Sequence, residues 1–497
     1  MYARADAIAF AEEALALCDD PRRRFEVLRV IVTAHTHHGD VDAWDRALCA
    51  FEAEAPAFGD AERFAALEAR EHYLFQIGDR EAQRRTIDAM RALARDASSD
   101  LWLATALDAL GMLEIGVGDF RGAVAPLRDA LAAARATGDR RLVTRVRAHL
   151  IQALTRMGEM ADARIELDEQ RSHCAGGSVE ERLDLLWAES SLALATEDAD
   201  VLHRVGSEML ALSTRFGDED AQAKSHWMLA WAASVQHDTA AVERHYAFAA
   251  LHFERLRQPQ SLAATLINLG VYEFDAGRLD DAIEHFRRGA HLAEESGSRN
   301  LVAYALANTA DAERLRGNVA AALASAVDAH ATAVQTGEQR LICLCMQVLG
   351  SAECATGALP SGLARLREVV AMRREAGQRQ SLADNLCALV EGLITARELD
   401  ELAACAAELD GLAADEPTSL RTPTRVWAAL AQAAHLRGDA ATARAHEERG
   451  RASLTETLER CADDVERAAI SALPFNQILL RPTPSSGRGT RTGRRSS

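Results

Sequence analysis

The amino-acid sequence of 497 residues predicts an all-α solenoid of about eleven helical hairpins, each about 40 residues long. Three observations predict this fold. Turn residues recur at a fixed interval, helix-forming residues fill the segments between them, and no segment alternates with the two-residue period of a β-strand. We therefore expect one array of stacked hairpins, where the chain length alone would suggest about three globular domains.

The turn signals recur at intervals of 39 to 41 residues. Eight of the eleven positions are glycine, which ends helices because it adopts the left-handed conformation without strain. A second set of glycines follows half a period later, so each repeat contains two segments of about 17 residues. The first set is Gly39, Gly78, Gly118, Gly158, Glu197, His237, Gly277, Gly317, Gly357, Arg397 and Gly438. The second set is Gly59, Gly138, Gly177, Gly217, Gly297, Gly337 and Gly377.

The segments between the turns have the composition of amphipathic helices. They are rich in Ala, Leu, Arg and Glu, which are strong helix formers. Their apolar residues recur at spacings of three and four, which places them on one buried face. Most prolines fall between repeats; Pro126 falls inside a segment, where we expect a kink or a late helix start.

The two ends of the chain differ from the repeats. Residues 1–20 have the pattern of an incomplete or capping half-repeat, and residues 21–460 form the repeat array. This first helix is either a natural cap or the continuation of a longer protein. Residues 461–480 predict a C-terminal capping helix and an apolar plug. Residues 481–497 contain five arginines and no acidic or apolar side chain, so we expect a disordered tail.

Composition and motifs exclude several classes of function. The net charge of −19 is not typical of a nucleic-acid-binding protein, so we expect no direct binding of nucleic acid by the array. The single lysine, Lys224, follows Ala223, so the chain lacks the Gly-Lys-Ser/Thr of an ATP-binding phosphate loop. Nine scattered cysteines without a CxxC pair indicate a reducing, cytoplasmic compartment. Neither a signal peptide nor a membrane span is predicted.

Candidate motifs for catalysis, cofactors and metals favour structural roles. The glycines at 116–122 follow a helix rather than a strand, so they do not predict a dinucleotide site. The histidines at 35–38 have no neighbouring acid or cysteine to complete a metal-ligand set. We therefore expect no catalytic residue, cofactor or metal. An enzyme with an unrecognised site is the remotest alternative.

Within the repeats the residues resemble the tetratricopeptide (TPR) pattern. The third repeat contains Leu110-Gly111, Gly118, Ala123, Leu127 and Ala130, and the seventh contains Leu269-Gly270, Gly277, Ala282, Phe286 and Gly289. The resemblance implies a right-handed superhelix in which the first helix of each hairpin lines a concave groove. The period of 40 exceeds the usual spacing of about 34, so the helices should be longer.

Long arrays of this kind also resemble the C-terminal sensor arm of large ATP-binding bacterial transcriptional regulators, of LuxR type or streptomycete antibiotic regulatory protein type. The Pro-Phe-Asn-x-x-Leu motif at 474–479 is similar to the end of such chains. The resemblance implies a non-enzymatic arm that binds a protein or peptide, with a small-molecule inducer as a further ligand class. A free-standing TPR scaffold or adaptor is the alternative.

The TPR pattern identifies the positions that face the groove. In the fifth to eighth repeats these positions hold five aromatic residues where about one is expected: Trp187, Trp227, Trp231, Phe274 and Tyr304. Further candidates at these repeats are Lys224, Asn268, Asn308, Asp311 and Arg314. The resemblance implies that the two asparagines hold a peptide backbone. We predict that these residues form a partner-binding floor; the alternative is that the rings pack between repeats.

Charges at the groove positions nearly cancel. The eleven repeats place eight acids and six basic residues there, among them Glu68, Asp108, Arg145, Arg156 and Asp184. Without the five arginines of the tail, the rest of the chain carries −24. We therefore expect the acidity to lie mainly on other surfaces and to serve solubility.

Overall fold

The computed structural model describes residues 2–35, 40–174, 177–196, 198–236, 238–375, 379–415, 420–461 and 463–481. These ranges contain 25 α-helices and a short 3₁₀ helix, Ala55–Ala57, and no strand. Twenty-two of the helices, α2 to α23, form eleven hairpins in register with the predicted turns. This confirms the all-α solenoid.

The first helices of the hairpins are α2 Pro21–His35, α4 Asp60–Ile77, α6 Asp100–Val117, α8 Arg140–Met157, α10 Val179–Thr196, α12 Glu219–Val235, α14 Pro259–Asp275, α16 Arg299–Leu315, α18 Gln339–Ala355, α20 Arg379–Ala396 and α22 Pro423–Leu436. The second helices are α3 Val41–Glu54, α5 Arg80–Asp96, α7 Phe120–Thr137, α9 Met160–Cys174, α11 Ala199–Phe216, α13 Thr239–Arg255, α15 Leu279–Glu295, α17 Val319–Thr336, α19 Leu359–Glu375, α21 Leu399–Asp415 and α23 Ala440–Arg460. The end helices are α1 Tyr2–Leu17, α24 Asp464–Ala472 and α25 Pro474–Leu480.

A Gly-Asp pair reverses the chain at several turns. Gly118 adopts φ 82° and its N–H donates to the carbonyls of Glu114 and Ile115, which closes α6. The next residue, Asp119, accepts a hydrogen bond from the N–H of Gly122 and so begins α7. Because one residue ends a helix and its neighbour starts the next, the connection is short and the repeat length stays nearly constant.

Small residues allow the two helices of a hairpin to approach closely. In the seventh repeat, a Cβ at Gly270 would lie 2.7 Å from a ring atom of Phe286, which is fully buried. This close contact is the small-to-large packing that the TPR pattern implies. In α7, the helix begins at Phe120 and continues through Pro126, which excludes the late helix start; the alternative of a kink stays a prediction.

The chain divides into two compact units, residues 1–365 and 366–497, and the division falls within α19. In the second unit, α25 packs against α22 and α23, with Leu479 fully buried. Nε of Arg451 donates to the carbonyl of Leu479 at 2.9 Å. The segment predicted as an apolar plug therefore covers the end of the last hairpin. The tail at 482–497 lies outside the described residues.

Two further sequence expectations concern cysteines and membranes. The nine cysteines are free thiols and six of them are buried. Every helix of the described ranges is too short or too polar to cross a lipid bilayer.

Of the histidines considered as metal ligands, His35 is buried on α2, and His37 and His38 lie outside the described residues.

Candidate functional site

The first unit coils tightly enough for turns of its superhelix to touch. The hydroxyl of Ser298 donates to the carbonyl of Gly116 at 2.8 Å, across a separation of 182 residues. The side chain of Gln76 donates to the carbonyl of Leu256 at 3.0 Å, across 180 residues. One superhelical turn therefore takes about 4.5 hairpins.

Charged residues from four successive first helices form one cluster. The Asp108 carboxylate accepts a hydrogen bond from Nε of Arg145 at 3.0 Å and lies 2.7 Å from Nδ1 of His149. Desolvation lowers the pKa of Arg145, but the charges of Asp108, Glu68 and Asp184 outweigh it and raise the pKa overall. Helices α4, α6, α8 and α10 thus bring their charges together inside the coil.

These groups are surrounded by protein and yet reached by water. Desolvation raises the pKa of Glu71 to about 7 and that of Asp184 to about 6. It also raises the pKa of Glu68, although this residue is exposed. The side chain of Arg145 is likewise 36% exposed although it is strongly desolvated. A side chain can be desolvated by the surrounding protein and still be exposed to water when it lines a concave surface that water enters.

We call this surface the inner wall. It consists of Glu68, Glu71, Asp108, Arg145, His149, Asp184, Trp187 and Lys224.

The carboxylates of the inner wall differ in how far their charge is compensated. Burial raises the pKa of Asp108, but the charges and hydrogen bonds of His149 and Arg145 hold it below its usual value. Glu71 accepts one hydrogen bond, from Nε2 of Gln83 at 2.7 Å, and its pKa stays raised. The inner wall therefore contains one carboxylate, Asp108, whose negative charge is compensated by its neighbours. Its other carboxylates, such as Glu71, would be stabilised in their charged form by a cationic group.

Trp187 and Lys224 extend the inner wall to α12. Nζ of Lys224 lies 5.3 Å from the ring centre of Trp187 and 2.7 Å from the carboxylate of Asp220. Desolvation lowers the pKa of Lys224, but Asp220 outweighs it and raises the pKa overall. The lysine side chain keeps 36% of its surface exposed, so an entering ligand can contact it.

Trp227 and Trp231 contribute to packing between repeats. Trp227 contacts three apolar clusters that together extend from α10 to α14, and its buried indole N–H has no hydrogen-bond partner among the described residues. Trp231 contacts the cluster formed by α10, α11 and α12. Trp187 also packs against this last cluster, so these contacts favour the packing alternative for all three tryptophans, most strongly for Trp227. A role in partner binding stays a prediction.

Tyr304 and Phe274 also lie against core residues. The hydroxyl of Tyr304 donates to Glu338 at 2.9 Å, and the Arg156 guanidinium lies 5.9 Å from the Tyr304 ring centre and 3.5 Å from the same carboxylate. Tyr304 therefore joins contacts between two superhelical turns. Phe274 packs against the cluster that contains Phe286.

The four polar candidates have local partners or partial exposure. Nδ2 of Asn308 donates to the carbonyl of residue 304 in its own helix at 2.8 Å. Asp311 and Arg314 form an ion pair at 2.7 Å, with side chains 20% and 16% exposed. Asn268 is half-buried on α14. The structure thus brings Trp187 and Lys224 together, and places Tyr304 beside Asn308. The function of the ten predicted residues is not tested by these contacts.

The acidic and basic residues at the groove positions are a sequence signal for the inner wall, but the net charge of those positions does not reveal it. Glu68, Asp108, Arg145 and Asp184 all occupy groove positions. The near-cancellation of eight acids and six basic residues over all groove positions does not show that Arg145 lies among these three acids. Glu71 was missed, although it lies three residues after Glu68 on the same face of a helix. The expectation that acidity on the other surfaces serves solubility stays a prediction.

The comparisons with known proteins identify the fold. No protein-family model matches the chain, and no curated protein is similar to it in sequence. Among solved structures, a Rap protein complexed with Competence and Sporulation Factor is similar with a TM-score of 0.55 and 11% identity, over 72% of this chain and 99% of that chain.

Two further solved structures are more distant. The Signal Transduction ATPase with Numerous Domains protein with a tetratricopeptide repeat sensor, from Pyrococcus horikoshii, has a TM-score of 0.48 and 12% identity, over 93% of this chain and 74% of that chain. The APC/C hetero-tetramer Cut9-Hcn1 has a TM-score of 0.36 and 11% identity, over 96% and 95%. The chain has the fold of a TPR-like helical-repeat protein.

Proposed function

We propose that the chain is a non-enzymatic TPR-like solenoid that binds a protein or peptide on the inner wall of its first unit. The observation that carries this proposal is the combination of desolvation and solvent access at Glu71, Arg145, Asp184 and Lys224. Charges in such surroundings interact more strongly with a ligand than charges on an open surface, because water screens them less.

The chemistry of the inner wall favours a ligand with charges of both signs. Glu71 and Asp184 would ionise fully beside a lysine or arginine of the ligand, since an adjacent positive charge offsets their desolvation. Lys224 and Arg145 would pair with a carboxylate. The ring of Trp187 offers an apolar face next to Lys224. A peptide with alternating acidic and basic residues fits this arrangement, and Asn268, Asn308, Asp311 and Arg314 extend the proposed binding surface along the array.

We further propose that the chain acts in the bacterial cytoplasm as the sensor or interaction arm of a transcriptional regulator. The support is the resemblance of its 40-residue repeats and of the motif at 474–479 to such arms. A small-molecule inducer is a further ligand class for the same wall. Sequencing the coding DNA upstream of Met1 separates this role from that of a free-standing scaffold, because the regulator predicts an ATPase module there.

Selection of peptides tests the binding function. Random 12-residue peptides are selected by display on the purified full chain, and affinities of the recovered peptides are measured by fluorescence anisotropy. We expect Asp184→Asn, Lys224→Met and Trp187→Ala each to weaken binding at least about tenfold, the loss expected of a central contact residue. The matched control is Asp162→Asn on α9, whose side chain is 52% exposed in a surface ion pair.

The circular dichroism of each variant shows whether its fold is intact. If folded inner-wall variants bind as tightly as the control, the binding surface lies elsewhere. If no peptide is recovered, peptide binding itself is contradicted.

A further inference from the structure

The second hairpin departs from the TPR pattern at the two positions where its helices meet. In the other first helices the equivalent of Glu71 is small or apolar, and so is the equivalent of Gln83 in the other second helices. The equivalents of Glu71 are Val32, Gly111, Ile151, Ser190, Ala230, Gly270, Ala310, Gly350, Val390 and Ala431. The equivalents of Gln83 are Trp44, Ala123, Ala163, Leu202, Val242, Ala282, Ala322, Gly362, Leu402 and Ala443.

Close packing explains why small residues are common at these two positions. In the seventh repeat a Cβ at Gly270 would lie 3.1 Å from the carbonyl oxygen of Ala282. In the ninth repeat a Cβ at Gly362 would lie 2.7 Å from the carbonyl oxygen of Gly350. The two positions therefore face each other across the hairpin. A carboxylate and an amide at this interface break the local pattern, and such departures are expected at functional sites.

In the second hairpin, hydrogen bonds join these two side chains to Arg80. Nη1 of Arg80 donates to Oε1 of Gln83 at 2.9 Å, and Nε2 of Gln83 donates to the carboxylate of Glu71 at 2.7 Å. Gln83 is fully buried. Because a guanidinium has only donors, the amide of Gln83 must direct its oxygen towards Arg80 and its nitrogen towards Glu71. Gln83 therefore presents a donor to Glu71, which favours the ionised carboxylate.

Arg80 is held in place independently of Glu71. Its Nε donates to the carbonyl of Ser296 at 3.1 Å, and its Nη2 donates to Oε1 of Gln260 at 2.7 Å. Among the described residues no carboxylate contacts this guanidinium, and desolvation lowers its pKa to about 10. The positive end of a helix dipole disfavours a cation at the first residue, and the other ten second helices begin with an uncharged residue. Arg80 is thus a fixed anchor for Gln83 rather than a requirement of α5.

Glu71 has one oxygen left for a ligand. It is half-buried, and within the described residues Gln83 is its hydrogen-bond donor. Desolvation raises the pKa of Glu71, and the hydrogen bond from Gln83 lowers it. The charge of Asp108 raises this pKa further, Arg145 lowers it and Glu68 raises it. A cation at the second oxygen would be attracted by three carboxylates in desolvated surroundings.

The acidic side chains of the preceding helix do not compete for this site. On α3, Asp45 and Glu52 accept hydrogen bonds from Arg70 of α4, at 2.6 Å from each carboxylate. The charges that act on Glu71 therefore come from α4 itself and from α5, α6 and α8.

We propose that Gln83 is a positioning residue, which Arg80 orients so that the second oxygen of Glu71 accepts a cationic nitrogen group of the ligand. The cation contact rests on the proposed function, whereas the effect of Gln83 on the charge of Glu71 does not. The alternative is a purely structural network, in which Glu71 compensates the desolvated charge of Arg80 through Gln83. The two roles predict a different dependence of binding on pH.

Substitution of Gln83 by methionine separates the two roles. Gln83→Met retains a side chain of similar length and removes both hydrogen bonds. Its matched control is Gln170→Met on α9, because Gln170 is also fully buried and donates to the carbonyl of Thr144 at 3.3 Å. The probe is a peptide recovered by the selection described above. Its affinity for the full chain is measured by fluorescence anisotropy from about pH 6 to about pH 9, which spans the titration of Glu71.

We expect the affinity of Gln83→Met to fall about fivefold at about pH 7 and to recover at about pH 9. The loss of the donor raises the pKa of Glu71, and the higher pH ionises this carboxyl again. The midpoint of the pH profile should move upward by about one unit, whereas the control should keep the midpoint of the unsubstituted protein. A loss of the same size at every pH, or an unchanged midpoint, overturns the positioning role.

Two variants of the peptide identify the source of the cationic nitrogen. One has an acetylated amino terminus, and the other has norleucine in place of each lysine and arginine. The variant that lacks the contacting group should bind the unsubstituted protein and Gln83→Met with equal affinity. If both variants keep the full dependence on Gln83, the contact between Glu71 and a cationic group is contradicted.

Urea unfolding at several pH values tests the effect of Gln83 without a ligand. A carboxyl whose pKa is raised in the folded protein loses its contribution to stability as the pH rises through that pKa. We expect this loss to extend about one pH unit higher in Gln83→Met, and Glu71→Gln to remove it in both backgrounds. If no peptide is recovered, the cation contact is overturned together with the proposed function, and this measurement still decides the role of Gln83.

A second variant covers the case in which Gln83→Met does not fold. Gln83→Glu keeps the contact with Arg80 and removes the donor to Glu71. The midpoint of the pH profile should again move upward, because the new carboxylate also repels the charge of Glu71. An unchanged midpoint in this variant overturns the proposal.

Discussion

The inner wall and the outward surface of the second helices contain ion pairs of the same chemical type, but those of the inner wall are largely buried and those of the outward surface are exposed to water. Between α7 and α9, Arg128 pairs with Asp162 and Arg135 pairs with Glu169, and all four side chains are at least half exposed. Inside the coil, Asp108 is 6% exposed and contacts the side chains of Arg145 and His149. Exposed pairs contribute little to stability, whereas removal of one partner from a buried pair is costly. Position in the coil, rather than residue type, decides what each charge does.

The largest expected effect distinguishes packing from binding among the tryptophans. Trp227→Ala should lower the free energy of unfolding by about 3 to 5 kcal/mol, because the ring contacts three apolar clusters and its removal leaves a cavity. Trp187→Ala should lower it by less, about 1 to 2 kcal/mol, since this half-buried ring contacts one apolar cluster rather than three. Urea unfolding followed by circular dichroism measures both. Equal losses would mean that Trp187 contributes as much to packing as Trp227 does.

The next effect concerns the carboxylate at the centre of the inner wall. Asp108→Asn should lower the free energy of unfolding by about 3 kcal/mol, because Arg145 and His149 lose their charged partner in desolvated surroundings. Asp162→Asn is the control on the outward surface. The same chemical change at both sites isolates the effect of position, and similar losses would contradict the comparison.

A smaller effect appears in the dependence of stability on pH. The folded protein raises the pKa of Asp184 to about 6 and that of Glu71 to about 7, above the values of the unfolded chain. Their contribution to stability is therefore complete below about pH 4 and is lost as the pH rises through 6 to 7. Asp184→Asn should reduce this loss by about 1 kcal/mol. Urea titrations at several pH values measure it; an unchanged slope would show that Asp184 is solvated.

The smallest effect is expected on the outward surface. Arg135→Gln removes a pair whose two side chains are 50% and 51% exposed. The free energy of unfolding should change by less than about 0.5 kcal/mol, and high salt should abolish the change. A loss above about 1 kcal/mol would mean that this pair is part of a cooperative network with Arg147, which also contacts Glu169.

The repeat and its helices could be predicted from sequence because they depend on local chemistry. Gly118 and Asp119 end one helix and start the next regardless of what lies opposite them. The contact between superhelical turns could not be predicted, because Ser298 and Gly116 meet only after the superhelical pitch has brought them together. Pitch results from many small rotations between hairpins, and no single residue encodes it.

The candidate site was predictable in part for the same reason. The TPR pattern assigned Lys224, Trp187 and Asp184 to inward positions, and the structure brings these residues close together. The pattern could not show that Trp227 extends into the core, because the longer helices of this array change which side chains pack between hairpins. Exposure depends on the neighbouring repeats, which a single repeat does not specify.

The turn of about 4.5 hairpins has a consequence for how this chain can vary. A simple solenoid behaves as a one-dimensional stack, so a hairpin can be inserted or lost with little effect beyond its neighbours. Here three successive hairpins of the first unit also meet residues about 180 positions further along the chain, an offset of about 4.5 repeats. Loss of a single hairpin between residues 120 and 255 would move Leu256 and Ser298 out of alignment with Gln76 and Gly116, their partners in the other superhelical turn. The number of repeats within that segment is thus fixed by contacts between distant parts of the chain, as positions are fixed in a two-dimensional lattice.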